Sequence, residues 1–520
     1  MYKYCKCRIA RKLIFKLKDK IAMRFKILFI VLLSCMTAFS QSRRSAFDKY
    51  FSALAKDQQL NGNVLIAEKG KIIYEKSFGY ANFANRILNT SNTSFPIGSI
   101  TKTFTSTAIL QLQQKGKLNI KEPVAAYLPD FPYPSLTIEK VMSHTSGIPN
   151  DAFYNWMDSL TKIYPDTFFT NQDVIPLLIA LKNSPAKIEP DSKVEYPFAY
   201  SNLNYFILAL IIEKRSGLSF GIYLKKNIFL PAGMLNTRLS EFYRDVEKKQ
   251  ATEYEYAGLL AEHPENVDTV TNYVKTIYPF YNFHGHGDII STTHDLLKYD
   301  EALRSGILLE EPQLKLAVYP FVNDMHNFGV GVMAYGLGWM ILKDKENGEV
   351  VMHHGGVLGC QSMLIRNITK HQTIVILDNT KRNTFPKAMD ALKILNGETV
   401  LISKKSGAIL YGKALLKEGV KSANLILKKL KKDKQHYSLE ENELNSIGYE
   451  FLGLNNKTAA LEVFKTNMEL FSASWNAYDS YGEALLANGQ KEEAIKMYKK
   501  SIDLNPENLN GKGVLEAISK

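Results

Sequence analysis

At 520 residues the chain exceeds a usual single domain and implies two or three folded units. Hydrophobic residues make up 45% and charged residues 22%, an ordinary globular composition. The net charge of +13 does not signal nucleic acid, because residues 1–40 hold ten Lys and Arg against the single acid Asp19 and leave only about +4 for the rest. Within that leader, Arg24 and Lys26 precede the apolar run Ile27–Leu33, and Ala38-Phe39-Ser40 precede Gln41. A charged region, an apolar region and a small-x-small site predict a secretory signal peptide over residues 1–40, with Met23 as an alternative start. The run is too short to span a bilayer, which needs about 20 apolar residues. Leu32-Leu33-Ser34-Cys35 loosely resembles a lipoprotein box, so membrane attachment is expected only if Cys35 is lipidated. The chain is therefore expected to be exported, periplasmic or extracellular. Cys360 is then the sole mature cysteine; it cannot form an internal bridge and is read as a small apolar core residue. No Cys/His spacing suggests zinc, and no cofactor is expected.

From about Phe47 to Leu395, strand-like and helical patterns alternate with turn signals. Val64–Ala67 and Lys71–Ser77 flank Glu68-Lys69-Gly70 and predict a hairpin. Thr101–Gln114 has helical spacing, with Phe104, Ile109, Leu110 and Leu112 available for a core. Residues 396–435 are Lys-rich and helix-prone, a linker in which Lys428-Lys429-Leu430-Lys431-Lys432 reads as a solvated face. Residues 436–520 repeat with a period of 34: Gly448 superposes on Gly482, Leu452 on Leu486, Asn455 on Gly489, Ala460 on Ala494 and Phe464 on Tyr498. That period resembles tetratricopeptide repeats, with Asn505-Pro506 closing the second unit and a helical pair over 408–432 expected to stack on them.

The chemistry begins at Ser99-Ile100-Thr101-Lys102, an S-x-x-K that sets an amine one helical turn beyond a hydroxyl. Such an amine can take the proton that a weak nucleophile must lose. The tetrad is not specific by itself, since Ser159-Leu160-Thr161-Lys162 and Ser184-Pro185-Ala186-Lys187 spell it too. Only Ser99 follows a turn, Phe95-Pro96-Ile97-Gly98, and opens an apolar helix whose N-terminal amides can hold an oxyanion.

The stretch Phe95–Phe104 resembles the first motif of the family that contains class C β-lactamases, D-alanyl-D-alanine carboxypeptidases and related esterases. Further motifs follow in order. Ser143-His144-Thr145-Ser146-Gly147 resembles the family's post-helix loop and Tyr200-Ser201-Asn202 its Y-x-N motif. Gly285-His286-Gly287-Asp288 resembles its Gly-rich turn, and Tyr335–Trp339 with His353-His354-Gly355-Gly356 its last strand pair. The resemblance spans roughly residues 45–395. It implies an α+β fold, an antiparallel sheet flanked by helices with an inserted helical lobe, over residues 41–395, followed by the all-α repeats. It also implies roles: Ser99 as nucleophile, Lys102 as its proton acceptor, Tyr200 as a further acid or base and Asn202 as the residue orienting Lys102 and holding a substrate amide. The amides of Ser99 and Gly356 would form the oxyanion hole. Tyr200 is expected to need a depressed pKa, favoured by Lys102.

The last motif departs from the β-lactamase pattern. Where those enzymes usually carry K-T-G, this chain has His353-His354-Gly355, and spacing to Gly359 favours His353 at the Lys position with His354 one step away. Histidine is largely neutral at pH 7, so recognition of a substrate carboxylate is weakened. A Ser-His-Asp triad through His144 is disfavoured because no G-x-S-x-G elbow is present. Tyr80-Ala81-Asn82 reads as a chance Y-x-N, and Asp295 as lining the start of the Leu296–Leu303 helix. Tyr154 and neighbouring aromatics are either packing or cleft walls. The expectation is a serine hydrolase acting on a small-molecule or peptide amide or ester, closer to a D-Ala peptidase, D-aminopeptidase or esterase than to a dedicated β-lactamase. The rival is an inactive penicillin-binding-like scaffold that presents its repeats to a protein partner.

Overall fold

The computed structural model describes residues 42–519 except for 165–166, 168, 184–188, 192, 241–248, 270–281, 324, 326–332, 343–345 and 402–403. The leader, with Cys35 and the Ala38-Phe39-Ser40 site, and the tetrad at Ser184–Lys187 lie outside the described residues. Among the described residues no helix is long and apolar enough to cross a membrane. The chain divides into two compact units: residues up to Tyr254 together with Asn266–Val400, and Glu255–Glu265 together with Leu401–Lys520.

The first unit is built on an antiparallel sheet. In chain order its elements are helix α1 (42–56), strands β1 (Gly62–Glu68), β2 (Lys71–Phe78) and β3 (Phe95–Pro96), and helices α2 (Thr101–Gln114), α3 (Asn150–Ile163) and α4 (Asn202–Ser216). There follow β4 (Arg238–Leu239), β5 (Ile289–Ser291), α5 (Thr293–Arg304), β6 (Met333–Tyr335), β7 (Met340–Leu342), β8 (Val350–Val357), β9 (Cys360–Asn367), β10 (Gln372–Asp378) and α6 (Thr384–Leu395). The large sheet runs β6-β7-β8-β9-β10-β1-β2, so the last strands pair back onto the first: Val64 sits opposite Ile376, and Gly62 opposite Asp378. The predicted hairpin is present as β1 and β2, turning at Lys69 and Gly70.

Alternation along β1 sorts two cores. Val64 and Ile66 join Phe47, Phe51, Met363 and Leu392 on one face, while Leu65 and Ala67 join Phe104, Ala108, Leu364 and Val375 on the other. With both faces covered, the strand reads as an uninterrupted apolar run although its partners are antiparallel. Full burial of each such side chain contributes about 1.5–3 kcal/mol. Cys360 is buried and free, and burial pushes its thiol up, in keeping with a packing residue.

Helix α2 runs through the middle of the second core and buries every residue from Thr101 to Leu112. Its polar side chains are satisfied locally: Thr105 Oγ1 donates to Gly285 O at 2.7 Å, Thr107 Oγ1 pairs with the Tyr299 hydroxyl at 2.9 Å, and Gln111 Nε2 donates to Leu308 O at 3.0 Å. A buried helix with this many polar groups is held in one register and rotation, which its terminal residues need.

The second unit is helical. Helix α7 (Gly407–Lys432) is broken at Gly419, whose φ of 79° and ψ of 177° are not helical. After it come α8 (Glu441–Gly453), α9 (Lys457–Leu470), α10 (Trp475–Ala487), α11 (Lys491–Leu504) and α12 (Leu509–Ser519). The period of 34 has a physical basis. A Cβ on Gly448 would lie 2.5 Å from the Phe464 ring, and one on Gly482 would lie 3.0 Å from that of Tyr498, so each glycine admits the aromatic of the next helix. Asn455 and Gly489 occupy equivalent bends with φ of 56° and 76°. Ala414, Leu415 and Leu427 of α7 join Ile447, Phe464 and Leu260 in one core. The Glu450 carboxylate accepts from the backbone N–H of Leu259 and Leu260 at 2.8 and 3.1 Å, which holds the 255–265 segment within this unit.

Candidate active site

Ser99 lies in a single 3-10 turn, Gly98–Ile100, that runs directly into α2. Gly98 has φ of +50°, and a Cβ there would sit 2.7 Å from Gly356 N, so only glycine permits this approach of the turn to β8. From below, Ser362 Oγ donates to Ile97 O at 2.6 Å. From the side, Ile97 N donates to Ile289 O at 2.9 Å and Ile289 N to Thr101 Oγ1 at 3.1 Å. The backbone of Gly356 is thereby brought against that of Gly98, one residue before the Ser99 amide.

Lys102, the second residue of α2 and one turn beyond Ser99, is fully buried. Its Nζ contacts Asn202 Oδ1 at 2.7 Å, His286 O at 2.8 Å and Ser99 Oγ at 3.1 Å. Two of these partners are carbonyl oxygens that only accept, so they engage N–H groups whatever the charge on the amine. The remaining tetrahedral position faces the serine hydroxyl. Burial lowers the Lys102 pKa well below its ordinary value, against the pull of the Asp288 carboxylate. That shift favours the neutral amine, whose lone pair would lie at the position facing Ser99 Oγ.

Asn202 is the first residue of α4, and its Nδ2 donates to the Tyr154 hydroxyl at 2.8 Å. Tyr154, on α3, is thus part of the constellation and a wall of the cleft rather than remote packing. Tyr200 brings a fully buried hydroxyl that has no hydrogen-bond partner among the described residues; burial, with Tyr205 and Tyr154 adding to it, outweighs the lowering influence of Ser99. The expected depression of its pKa is corrected: burial pushes it up, and Lys102 Nζ sits 4.8 Å above the ring centre rather than at the hydroxyl. A raised pKa favours the neutral phenol over the tyrosinate.

His144 takes no part in a triad. Its Nδ1 accepts from Ser201 N at 3.1 Å, which leaves the ring proton on Nε2, and its ring lies 4.4 Å from that of Tyr200. Ser146 Oγ bonds Asn204 Oδ1 at 2.9 Å, so the 143–147 loop clamps the start of α4 and with it Tyr200 and Asn202. Asp295 accepts from Asn236 N at 2.7 Å in the first turn of α5, while Thr292 caps that helix. Asn82 of the other Y-x-N bonds Thr252 at 3.0 Å.

On β8, His353 and His354 point to opposite faces. His353 is fully buried, with Nδ1 2.6 Å from His354 O, Nε2 3.4 Å from the Tyr335 hydroxyl and its ring 6.4 Å from that of Tyr200. His354 is partly exposed. Burial lowers both, His354 to about 4, so neither supplies a fixed positive charge at neutral pH. Gly355 lies under Ile97, where a Cβ would be 1.9 Å from its carbonyl oxygen.

A cavity of about 410 Å³ adjoins these groups, bounded by Tyr154, His286, Gly356, Glu253 and Leu358. Two of its features escape sequence reasoning. The His286 carbonyl, a partner of Lys102, is a backbone atom whose only trace is the Gly-rich turn, and Glu253 belongs to no motif.

Comparison with known proteins agrees with this geometry. The β-lactamase family model matches residues 47–398, and a tetratricopeptide repeat model matches 476–508. Penicillin-binding protein 4* of Bacillus subtilis (strain 168) is 33% identical over 350 residues, covering 66% of this chain and 73% of the relative. Among solved structures, a penicillin binding protein from Bacillus halodurans aligns with a TM-score of 0.54 at 26% identity, over 66% of this chain and 99% of that one. The D-amino acid amidase from Ochrobactrum anthropi SV3 shares the fold with a TM-score of 0.55 at 19% identity, over 69% and 99%. The order of motifs, the sheet closed by its last strands and the Lys102–Ser99 contact thus have one common explanation: this chain belongs to the β-lactamase family of serine hydrolases, extended by tetratricopeptide-type helices.

Proposed function

We propose that the chain is an exported serine hydrolase that cleaves an amide or ester through an acyl-enzyme on Ser99. The observation that carries this reading is the Lys102 amine, with two contacts fixed by acceptor-only carbonyls and the third directed at Ser99 Oγ at 3.1 Å. Ser99 Oγ attacks the substrate carbonyl as Lys102 takes its proton, and the oxyanion is held by the amides of Ser99 and Gly356. The proton then passes from Lys102 through the neutral Tyr200 hydroxyl to the leaving nitrogen or oxygen, and the C–N or C–O bond breaks. Water repeats the sequence on the ester and frees Ser99. Asn202 holds Lys102 in place throughout. With neutral histidines at the K-T-G position, a D-aminopeptidase, D-Ala peptidase or esterase is favoured over a β-lactamase. Export rests on the layout of residues 1–40, and N-terminal sequencing of the secreted protein should begin at Gln41, or at a lipid-modified Cys35.

A fluorophosphonate or fluorescent penicillin should label the purified full chain at Ser99, and Ser99→Ala should abolish labelling. If neither probe reacts while the repeats capture a protein partner, the inactive-scaffold reading replaces this one.

A further inference from the structure

Glu253 has no part in the acyl-transfer machinery, yet it lines the same cavity as Gly356, His286 and Tyr154. It sits beside the β8–β9 turn: a Cβ on Gly359 would lie 2.7 Å from the Glu253 Cβ, three residues beyond Gly356. Its Oε2 is sealed from solvent and has no hydrogen-bond partner among the described residues. A buried carboxyl oxygen left without a partner is costly, and the cost is relieved when a ligand supplies a donor.

The rest of the lining says which donor. The described residues around the cavity include two carboxyls, Glu253 and Asp288, and no lysine or arginine. Asp288 is occupied by His284 Nδ1 at 2.6 Å and Gly285 N at 3.0 Å, which leaves Glu253 as the available group. Phe283, Ile290, Val357 and Leu358 add an apolar wall. Such a lining offers a substrate carboxylate no cationic partner and suits a cation attached to an apolar body. Resting on the Ser99 acyl-enzyme reading, we propose that Glu253 anchors a free ammonium group of the substrate, so that the site takes amides or short peptides bearing an unblocked amine next to an apolar side chain.

Burial, with Asp268 adding to it, pushes the Glu253 carboxyl up to about 8, so it is largely protonated at neutral pH in the empty site. An ammonium at hydrogen-bond distance favours the ionised form, and a charge-assisted hydrogen bond results.

The test compares D-phenylalanine p-nitroanilide with its N-acetyl derivative on the full chain. The wild type should prefer the free amine in kcat/KM, and Glu253→Gln should reduce that preference by about ten- to a hundredfold, with Glu253→Asp intermediate. A wild-type preference near one, or an equal loss on both substrates, overturns the proposal; the second result makes Glu253 a structural residue. Binding supplies a readout independent of turnover. By calorimetry, Ser99→Ala should bind D-phenylalaninamide at least tenfold more tightly than the Ser99→Ala/Glu253→Gln double variant, and N-acetyl-D-phenylalaninamide should not distinguish the two. Equal binding of the amine by both variants also overturns the proposal. Failure of the acyl-enzyme reading looks different, since fluorophosphonate labelling of Ser99 is then absent while amine binding still depends on Glu253.

Discussion

Ser99–Lys102 and Ser159–Lys162 spell the same tetrad on helical turns and differ in everything around it. Lys102 is fully buried, with its amine shared among Ser99, Asn202 and His286. Lys162 is 73% exposed and paired with Asp158 at 2.6 Å, while Ser159 Oγ turns back to Asn155 O at 2.9 Å. Desolvation lowers the Lys102 pKa and so favours a neutral amine, which with two pinned hydrogens would have a single lone pair in a fixed direction. The spacing of S-x-x-K brings the groups within reach, and burial is what sets the Lys102 amine apart from that of Lys162.

The contrast can be broken by substitution, in descending order of effect. Ser99→Ala should abolish probe labelling and lower turnover of a p-nitrophenyl ester by at least about 10³-fold, and Ser159→Ala should leave both unchanged. Lys102→Ala should lower kcat by about 10²–10⁴-fold in steady-state assays, with Lys162→Ala indistinguishable from wild type. On the proposed acyl-enzyme reading the active form is the neutral amine, and since burial lowers its pKa well below the ordinary lysine value, kcat/KM should rise with pH through that lowered pKa and then level off. A rise that continues to the usual lysine range would show Lys102 to be solvated. Tyr200→Phe removes a hydroxyl on which no fold contact depends; kcat should fall by about 10²-fold while thermal unfolding shifts by no more than about 1 kcal/mol. Gly448→Leu, which drives a side chain into Phe464, should destabilise the helical unit by about 1–3 kcal/mol and leave Ser99 labelling intact.

What was legible in the chain follows from what its signals encode. The juxtaposition of Ser99, Lys102, Tyr200 and Asn202 is legible because short-range spacing and motif order record side-chain identity, and the Gly448/Gly482 equivalence because each glycine answers an aromatic one helix later. The His286 carbonyl left no trace beyond the Gly-rich turn, because any residue supplies the same oxygen. Tyr154 and Glu253 are brought to the cleft by long-range pairing that no local pattern states. The direction of the Tyr200 pKa was inverted because proximity of a cation can be inferred from motifs, whereas the loss of water around a phenol cannot.

The course of the chain through Glu255–Glu265 has a practical meaning for anyone cutting this protein. The helical unit is entered twice, so it is not a tail that a single cleavage removes. A stop codon near residue 400 would leave Leu260, only 3% exposed in the intact chain, without the helices that cover it. Such a fragment should keep its Ser99 chemistry yet become sticky at one loop, and replacing residues 255–265 with a short polar turn should restore its solubility.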